Sequence, residues 1–239
     1  MMTASEFVKK AEDIASEYKT LYVMGCFGSP MTPSNKIKFT HNHEYNKRSN
    51  RTQMINSVTP DYFGFDCSGL IKGILWGWNG DRNDPNGGAV YASTTPDLNA
   101  DTMIKYCESS TDFSEIIPGE LLWTDGHIGI YIGNGLAVEC SPSFANKVQV
   151  TVVKNIKGAT VNSRFWKKHG KFKYIKYDNS SSSDNSSKAD PLKTTTDIAK
   201  EVIAGKWGVM PERKQRIIQA GYNYDSVRTI VNRLIKEGK

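Results

Sequence analysis

Long apolar runs, paired cysteines and a hydrophobic leader are all missing from this sequence. No stretch approaches the roughly 18 consecutive apolar residues that cross a bilayer. Mean hydropathy is -0.50, so no membrane insertion is expected. Met1–Lys10 lacks both an apolar core and a small-residue cleavage site, so it does not read as a signal peptide. Only four of the 239 residues are cysteine, too few without an export signal for a disulfide framework. No Cys-x-x-Cys pair is present, which argues against structural zinc. Helix-turn-helix, zinc-finger and aromatic ribonucleoprotein motifs are also lacking, so nucleic acid is not an expected partner.

What is present is a modest positive charge, unevenly placed. The net charge is +6, and +4 of it falls in Asp190–Lys239, with ten basic and six acidic residues. A basic terminal segment suits an anionic polymer or surface. Ahead of it, Asp178–Lys188 contains no apolar residue and six serines. Such a stretch cannot offset its own ordering entropy and reads as a flexible tether. The expected organisation is a domain over 1–177, a linker over 178–193 and a small helical module over 194–239.

Within the first domain, Phe7, Ala11, Ile14 and Tyr18 recur at helical spacing. Thr32–Asn56 is polar and reads as an irregular surface insertion. Leu70, Ile71, Ile74 and Leu75 predict a helix starting at or just after Cys67, with Asp66 or Ser68 near its N-cap. After a Gly/Asn/Asp-rich loop, Asn79–Gly88, strands are predicted at Leu121–Thr124, His127–Ile132, Leu136–Cys140, Val148–Val153 and Phe172–Tyr177. Helices first and antiparallel strands after them indicate an α+β fold.

Cysteine catalysis needs a thiolate, a base beside it and a group that orients the base. Cys67 at a helix N-terminus meets free N–H groups and the positive dipole end, which favour a thiolate and an oxyanion. His127 opens a strand whose one face carries Ile128, Ile130 and Ile132. The other carries His127, Gly129 and Tyr131, the glycine leaving room for a substrate. A three-residue loop, Gly133-Asn134-Gly135, pairs Ile132 with Leu136 and turns Glu139 toward His127. A two-residue Asn134-Gly135 turn turns Glu139 to the opposite face. The three-residue loop is the expected one.

Tyr22-Val23-Met24-Gly25, Asp66-Cys67-Ser68-Gly69, Pro118-Gly119-Glu120-Leu121-Leu122 and Gly126-His127-Ile128-Gly129-Ile130-Tyr131-Ile132-Gly133 together resemble the NlpC-type papain-like cysteine peptidases, which cleave amide bonds in bacterial peptidoglycan stems. The resemblance implies a papain-like domain with Cys67 as nucleophile, His127 as base and Glu139 as orienting group, a position that is His, Asn or Gln in most of that family. It also implies a substrate site near Tyr22, Asp66, Ser68 and Trp123, with no metal or organic cofactor. The bond cut would be D-glutamyl–diamino acid or, as the alternative, N-acetylmuramoyl–L-alanine.

The tail is similar to the wall-binding repeat of the Cpl-seven type found in phage lysins. The similarity runs through Asp197–Gly208, Glu212-Arg213 and Ala220–Tyr224. It implies a three-helix bundle that binds peptidoglycan, with Trp207, Arg213 and Tyr222 as candidate contacts. Together these resemblances describe a phage or prophage endolysin, held in the host cytoplasm until lysis and then acting on the wall. The alternative from another class is an inert wall-binding or tail-associated protein. Cys26, Cys107 and Cys140 read as reduced packing residues, and His41-Asn42-His43-Glu44 as surface loop.

Overall fold

The computed structural model describes residues 1–158, 162–177, 195–210, 212–219, 222 and 224–236. It divides into two compact units, Met1–Asp178 and Asn179–Lys239. The segment expected to be the linker lies outside the described residues.

The first unit is α+β. Its opening helix, α1 (Ala4–Glu17), begins at a reciprocal cap. Thr3 Oγ1 accepts from the Glu6 N–H, and the Glu6 carboxylate accepts from the Thr3 N–H. Phe7, Ala11 and Ile14 are buried as their spacing predicts. Three short strands, β1 (Thr20–Tyr22), β2 (Phe27–Pro30) and β3 (Phe63–Phe65), form a small sheet in the order β1-β3-β2. Between β2 and β3 lie α2 (Pro33–Asn42), α3 (Glu44–Lys47) and α4 (Ser49–Ser57). The segment read as irregular is therefore helical. Its helices are anchored by few apolar residues, Phe39 and Ile55 among them, and by buried polar ones, Asn35, Asn46 and Arg51. That composition hid the pattern.

Helix α5 (Cys67–Leu75) follows β3 directly and lies against β2 at a distance only glycine allows. A Cβ on Gly69 would sit 2.0 Å from the Cys26 carbonyl oxygen, and one on Gly73 2.4 Å from that of Phe27. Gly69→Ala is therefore expected to destabilise the fold by about 1–3 kcal/mol, the usual cost of overpacking. A lowered urea midpoint would show it; an unchanged midpoint would mean that the helix and the Cys26 loop part freely.

After α6 (Ala100–Met103) comes a seven-stranded sheet built from β4 (Cys107–Ser110), β5 (Leu121–Thr124), β6 (His127–Gly133), β7 (Leu136–Ser141), β8 (Lys147–Val153), β9 (Ser163–Arg164) and β10 (Lys168–Phe172), with α7 (Lys154–Lys157) after β8. The order is β4-β10-β5-β6-β7-β8-β9, antiparallel except for the parallel β8–β9 pair. The strand expected at Phe172–Tyr177 ends at Phe172. Its pairing lies earlier, with His169 opposite Leu122 and Lys168 opposite Trp123. One face of the sheet packs on α1 and α5 through Leu121, Ile128, Ile130, Val138 and Val148. The other face is also covered, by a cluster of Leu122, Tyr131, Ala137, Val153 and Trp166.

The β6–β7 turn differs from expectation. Gly133 pairs with Leu136, so the loop is the two-residue Asn134-Gly135, with φ of 52° and 67°. Both residues are left-handed, as a type I′ hairpin requires. A register shift between Tyr131 and Gly133 leaves Ile132 as an extra residue. That bulge restores the parity the shorter turn would have reversed. Ile130 still faces Val138, and continuing the count puts Gly129 across from Glu139.

The second unit is a small bundle of α8 (Thr195–Ile203), α9 (Glu212–Gln219) and α10 (Tyr224–Lys236). Ile198, Ala199, Val202, Ile217, Val227 and Leu234 form its core.

Candidate active site

The site begins at the N-terminus of α5. Asp66 is the N-cap, and both of its carboxylate oxygens are engaged. Oδ1 accepts from the Gly69 N–H at 2.5 Å and from Ser68 Oγ at 3.1 Å, while Oδ2 accepts from the Gly25 N–H at 2.7 Å. Asp66 and Ser68, expected near substrate, thus tie the helix start to the Tyr22–Cys26 loop. Cys67, the first helical residue, is partly buried. The backbone N–H groups of Ile128, Ser68 and Cys67 itself act to lower its pKa.

The thiol is nevertheless not the anion expected at a helix head. Burial pushes it up to about 12, and the Asp66 charge adds to the rise. The N–H groups lower it by less. Burial is the larger cause, and the carboxylate that caps the helix adds to it by setting a negative charge beside the sulfur that opposes the dipole.

His127 stands at the start of β6. Its Nε2 lies 2.6 Å from Glu139 Oε2. An ionised Glu139 accepts from Nε2–H, which leaves the lone pair of the neutral ring on Nδ1. The imidazole is stacked on Trp166, with centroids 5.5 Å apart and planes 16° from parallel. Trp166 also fills the space at Gly129, where a Cβ would come within 2.9 Å of its Cη2. The room predicted for substrate at that glycine is occupied by this ring. The β6–β7 ladder begins at Ile130 and Val138, and ahead of it the backbone N–H of Ile128 is one of the groups that lower the Cys67 thiol.

Glu139 is fully buried. Besides His127 it binds Thr151 Oγ1 at 2.7 Å through Oε1, and Arg164 through Nε at 2.9 and 3.1 Å and through Nη2 at 2.9 Å. Burial raises the carboxyl's pKa, but the bonds and charges of His127 and Arg164 outweigh it and hold Glu139 below its ordinary 4.5. Arg164 and Trp166 were not foreseen from the sequence. They lie on or just after a two-residue strand that carries no periodic signal.

Tyr22 is buried beside this centre. Burial, then the neighbouring Cys67 and Asp66, raise its phenol far above the ordinary value. The inserted helices shape this wall. Tyr45 meets Tyr22 edge to face at 5.9 Å, and Asn46 clamps Met24 through both its N–H and its carbonyl. His43 lies against Gly25 rather than in a surface loop. Trp123, on β5, donates from Nε1 to Asp101 at 2.9 Å, and Asp101 also accepts from the Gly126 N–H at 2.9 Å. Asp101 thereby pins the turn that presents His127. Cys26 and Cys140 are buried, Cys140 donating to the Phe65 carbonyl, and Cys107 is partly buried with its thiol on the Met103 carbonyl. No group of three or more metal-ligating side chains occurs among the described residues.

In the bundle, Trp207 and Tyr222 pack against the core and meet edge to face at 6.4 Å. Trp207 Nε1 donates to Glu201 at 3.1 Å. Arg213 Nε donates to the Gly208 carbonyl at 2.7 Å.

Comparison with known proteins adds two findings. Residues 196–235 match the CW_7 repeat. The chain is similar to the structure of NlpC2 from Trichomonas vaginalis at 15% identity and a TM-score of 0.38, covering 70% of this chain and 46% of that one. It thus spans just under half of that relative. It is also similar to the P60 domain of an antigen from M. avium subspecies paratuberculosis, at 17% identity and a TM-score of 0.35, covering 68% of this chain and 90% of that one. At these values the likeness carries no residue-by-residue correspondence. No curated protein matches the sequence. Among the described residues no helix is long and apolar enough to cross a membrane.

Proposed function

We propose that this protein is a peptidoglycan hydrolase of the endolysin kind, cutting a stem-peptide amide through a Cys67 thioester. The observation that supports the reading is the His127–Glu139 hydrogen bond, on the strand whose Ile128 N–H is among the groups that lower the Cys67 thiol. In the proposed reaction Nδ1 of His127 takes the thiol proton as sulfur attacks the carbonyl. The imidazolium then protonates the leaving amine, and water, with His127 as base, releases the acid and restores the thiol. The N–H groups at the start of α5 stabilise the oxyanion. Tyr22 and Trp123 line the approach, while Asp66 and Ser68 hold the helix start.

Residues 1–177 form the catalytic part of this reading, 178–193 the tether and 194–239 the wall-binding part. The match to the CW_7 repeat supports that last assignment. Trp207 and Tyr222 build the bundle's shape, and Arg213 offers its remaining N–H groups to a wall carboxylate or phosphate. The protein is made in the host cytoplasm and reaches the wall at lysis.

Product analysis tests the bond. Digested peptidoglycan is expected to show a new diamino-acid α-amine, the mark of the endopeptidase; a new L-alanine terminus would assign the amidase instead. Removing 194–239 is expected to weaken wall binding most at low salt, where the +4 segment acts over a longer range. The inert wall-binding alternative is favoured by the burial that pushes the Cys67 thiol up. Walls that keep their turbidity with the wild-type protein would favour it.

A further inference from the structure

Glu139 is a charged group in a position that asks only for an acceptor. A buried carboxylate 2.6 Å from an imidazole, with nothing else to balance it, would hold that ring as imidazolium. A permanently protonated His127 has no lone pair on Nδ1 to take a proton from the neutral Cys67 thiol. The structure supplies a counter-charge. Arg164 reaches Glu139 from β9 on the side away from β6, with Nε at 2.9 and 3.1 Å and Nη2 at 2.9 Å. Its Nη2 also donates to Ser141 Oγ at 3.1 Å. The guanidinium lies over the rings of Phe144, at 5.3 Å, and Trp166, at 5.6 Å. Trp166 is the same ring on which His127 stacks.

The groups facing Glu139 are thus His127 from β6, the Thr151 hydroxyl from β8 and Arg164 from β9, with the neutral Cys140 thiol next to it in sequence. Arg164 is the one permanent cation among them. We propose that Arg164 is a positioning residue whose charge neutralises Glu139, so that the glutamate orients His127 without holding it protonated. This inference rests on the proposed hydrolase reading for its purpose, but its electrostatics stand apart from turnover.

The test is an NMR titration of the His127 imidazole in the Cys67→Ala protein, which needs no catalysis. Arg164→Gln removes the cation and leaves the anion, so the imidazolium is expected to persist about one pH unit or more higher. Glu139→Gln leaves Arg164 uncompensated and is expected to move the titration to lower pH. Glu139→Gln combined with Arg164→Gln carries no net charge at either position and should titrate near the parent. If Arg164→Gln does not fold, the last two variants decide, because the double variant must lie about one pH unit above Glu139→Gln. Coincident titrations of those two, or an unshifted His127 in folded Arg164→Gln, would overturn the proposal. In the active protein, Arg164→Gln should raise the acid limb of kcat/KM by the same amount, while Arg164→Lys, which keeps the charge, leaves it near wild type. If walls are not hydrolysed at all, the hydrolase reading fails while the titration still answers for Arg164.

Discussion

If Glu139 orients His127 as proposed, replacing it by alanine is expected to lower turnover by about 10⁴-fold, the scale seen when the orienting carboxylate of a catalytic triad is lost, and to destabilise the fold by about 3 kcal/mol at neutral pH. The second figure follows from what the side chain leaves behind. Glu139 is fully buried and accepts from His127, Thr151 and Arg164. Its removal takes the acceptor from all three, one of them a guanidinium that keeps its bond to Ser141 Oγ. Breaking a buried pair from one side costs about 3–5 kcal/mol, and Arg164, with 19% of its side chain exposed, recovers part of that by hydration. Glu139→Gln keeps the volume and one acceptor oxygen, so it should unfold at a urea concentration between those of wild type and Glu139→Ala. The pH dependence has a definite sign. Glu139 is held below its ordinary 4.5 in the folded protein, so its pairing stabilises fully above that value and is lost as the pH falls through the lower folded value. The acid-unfolding curve of Glu139→Gln should therefore be flatter below pH 4.5 than that of wild type. A Glu139→Ala protein with wild-type stability and rate would remove the residue from the site.

Much of this arrangement was legible because chemistry and periodicity coincide in the sequence. The apolar spacing Leu70, Ile71, Ile74 after Asp66-Cys67 marks both the helix and its start, and α5 begins at Cys67. The run His127–Gly133 alternates cleanly and forms β6. The turn after it was misread for a physical reason. Asn134-Gly135 is a strong two-residue hairpin signal, but taken alone it carries Glu139 to the wrong face. A bulge at Ile132 corrects the parity, and a single extra residue leaves no trace in an alternating pattern. The inserted helices escaped notice because buried polar side chains such as Asn46 fix them, and a polar run without apolar spacing reads as coil. Arg164 and Trp166 lie 25 and 27 positions beyond Glu139 in the chain. Nothing local to them signals that they close over it.

Replacing Cys67 by alanine is expected to abolish wall lysis, with a loss of about 10⁶-fold on the scale of other nucleophile deletions, while changing stability by only about 1 kcal/mol. The side chain is partly buried and loses one atom. The smaller volume costs little, and the helix keeps its cap because Asp66, not Cys67, binds the Gly69 N–H. The state of the thiol sharpens the expectation. Moving from an ordinary 9.0 to about 12 makes the thiolate about a thousandfold scarcer at neutral pH, since each pH unit is a factor of ten. In the resting protein Cys67 should therefore react with iodoacetamide more slowly than a free cysteine. On the proposed mechanism its proton leaves as His127 takes it, in the step that forms the carbon–sulfur bond. His127→Ala is accordingly expected to be nearly as inactive as Cys67→Ala, and, if the two act as one unit as proposed, their losses should not add. Turbidity measurements on purified walls, with urea unfolding to verify the fold, decide the matter. Lysis by folded Cys67→Ala at the wild-type rate would end the cysteine mechanism, and additive losses in the double variant would mean that the two side chains work apart.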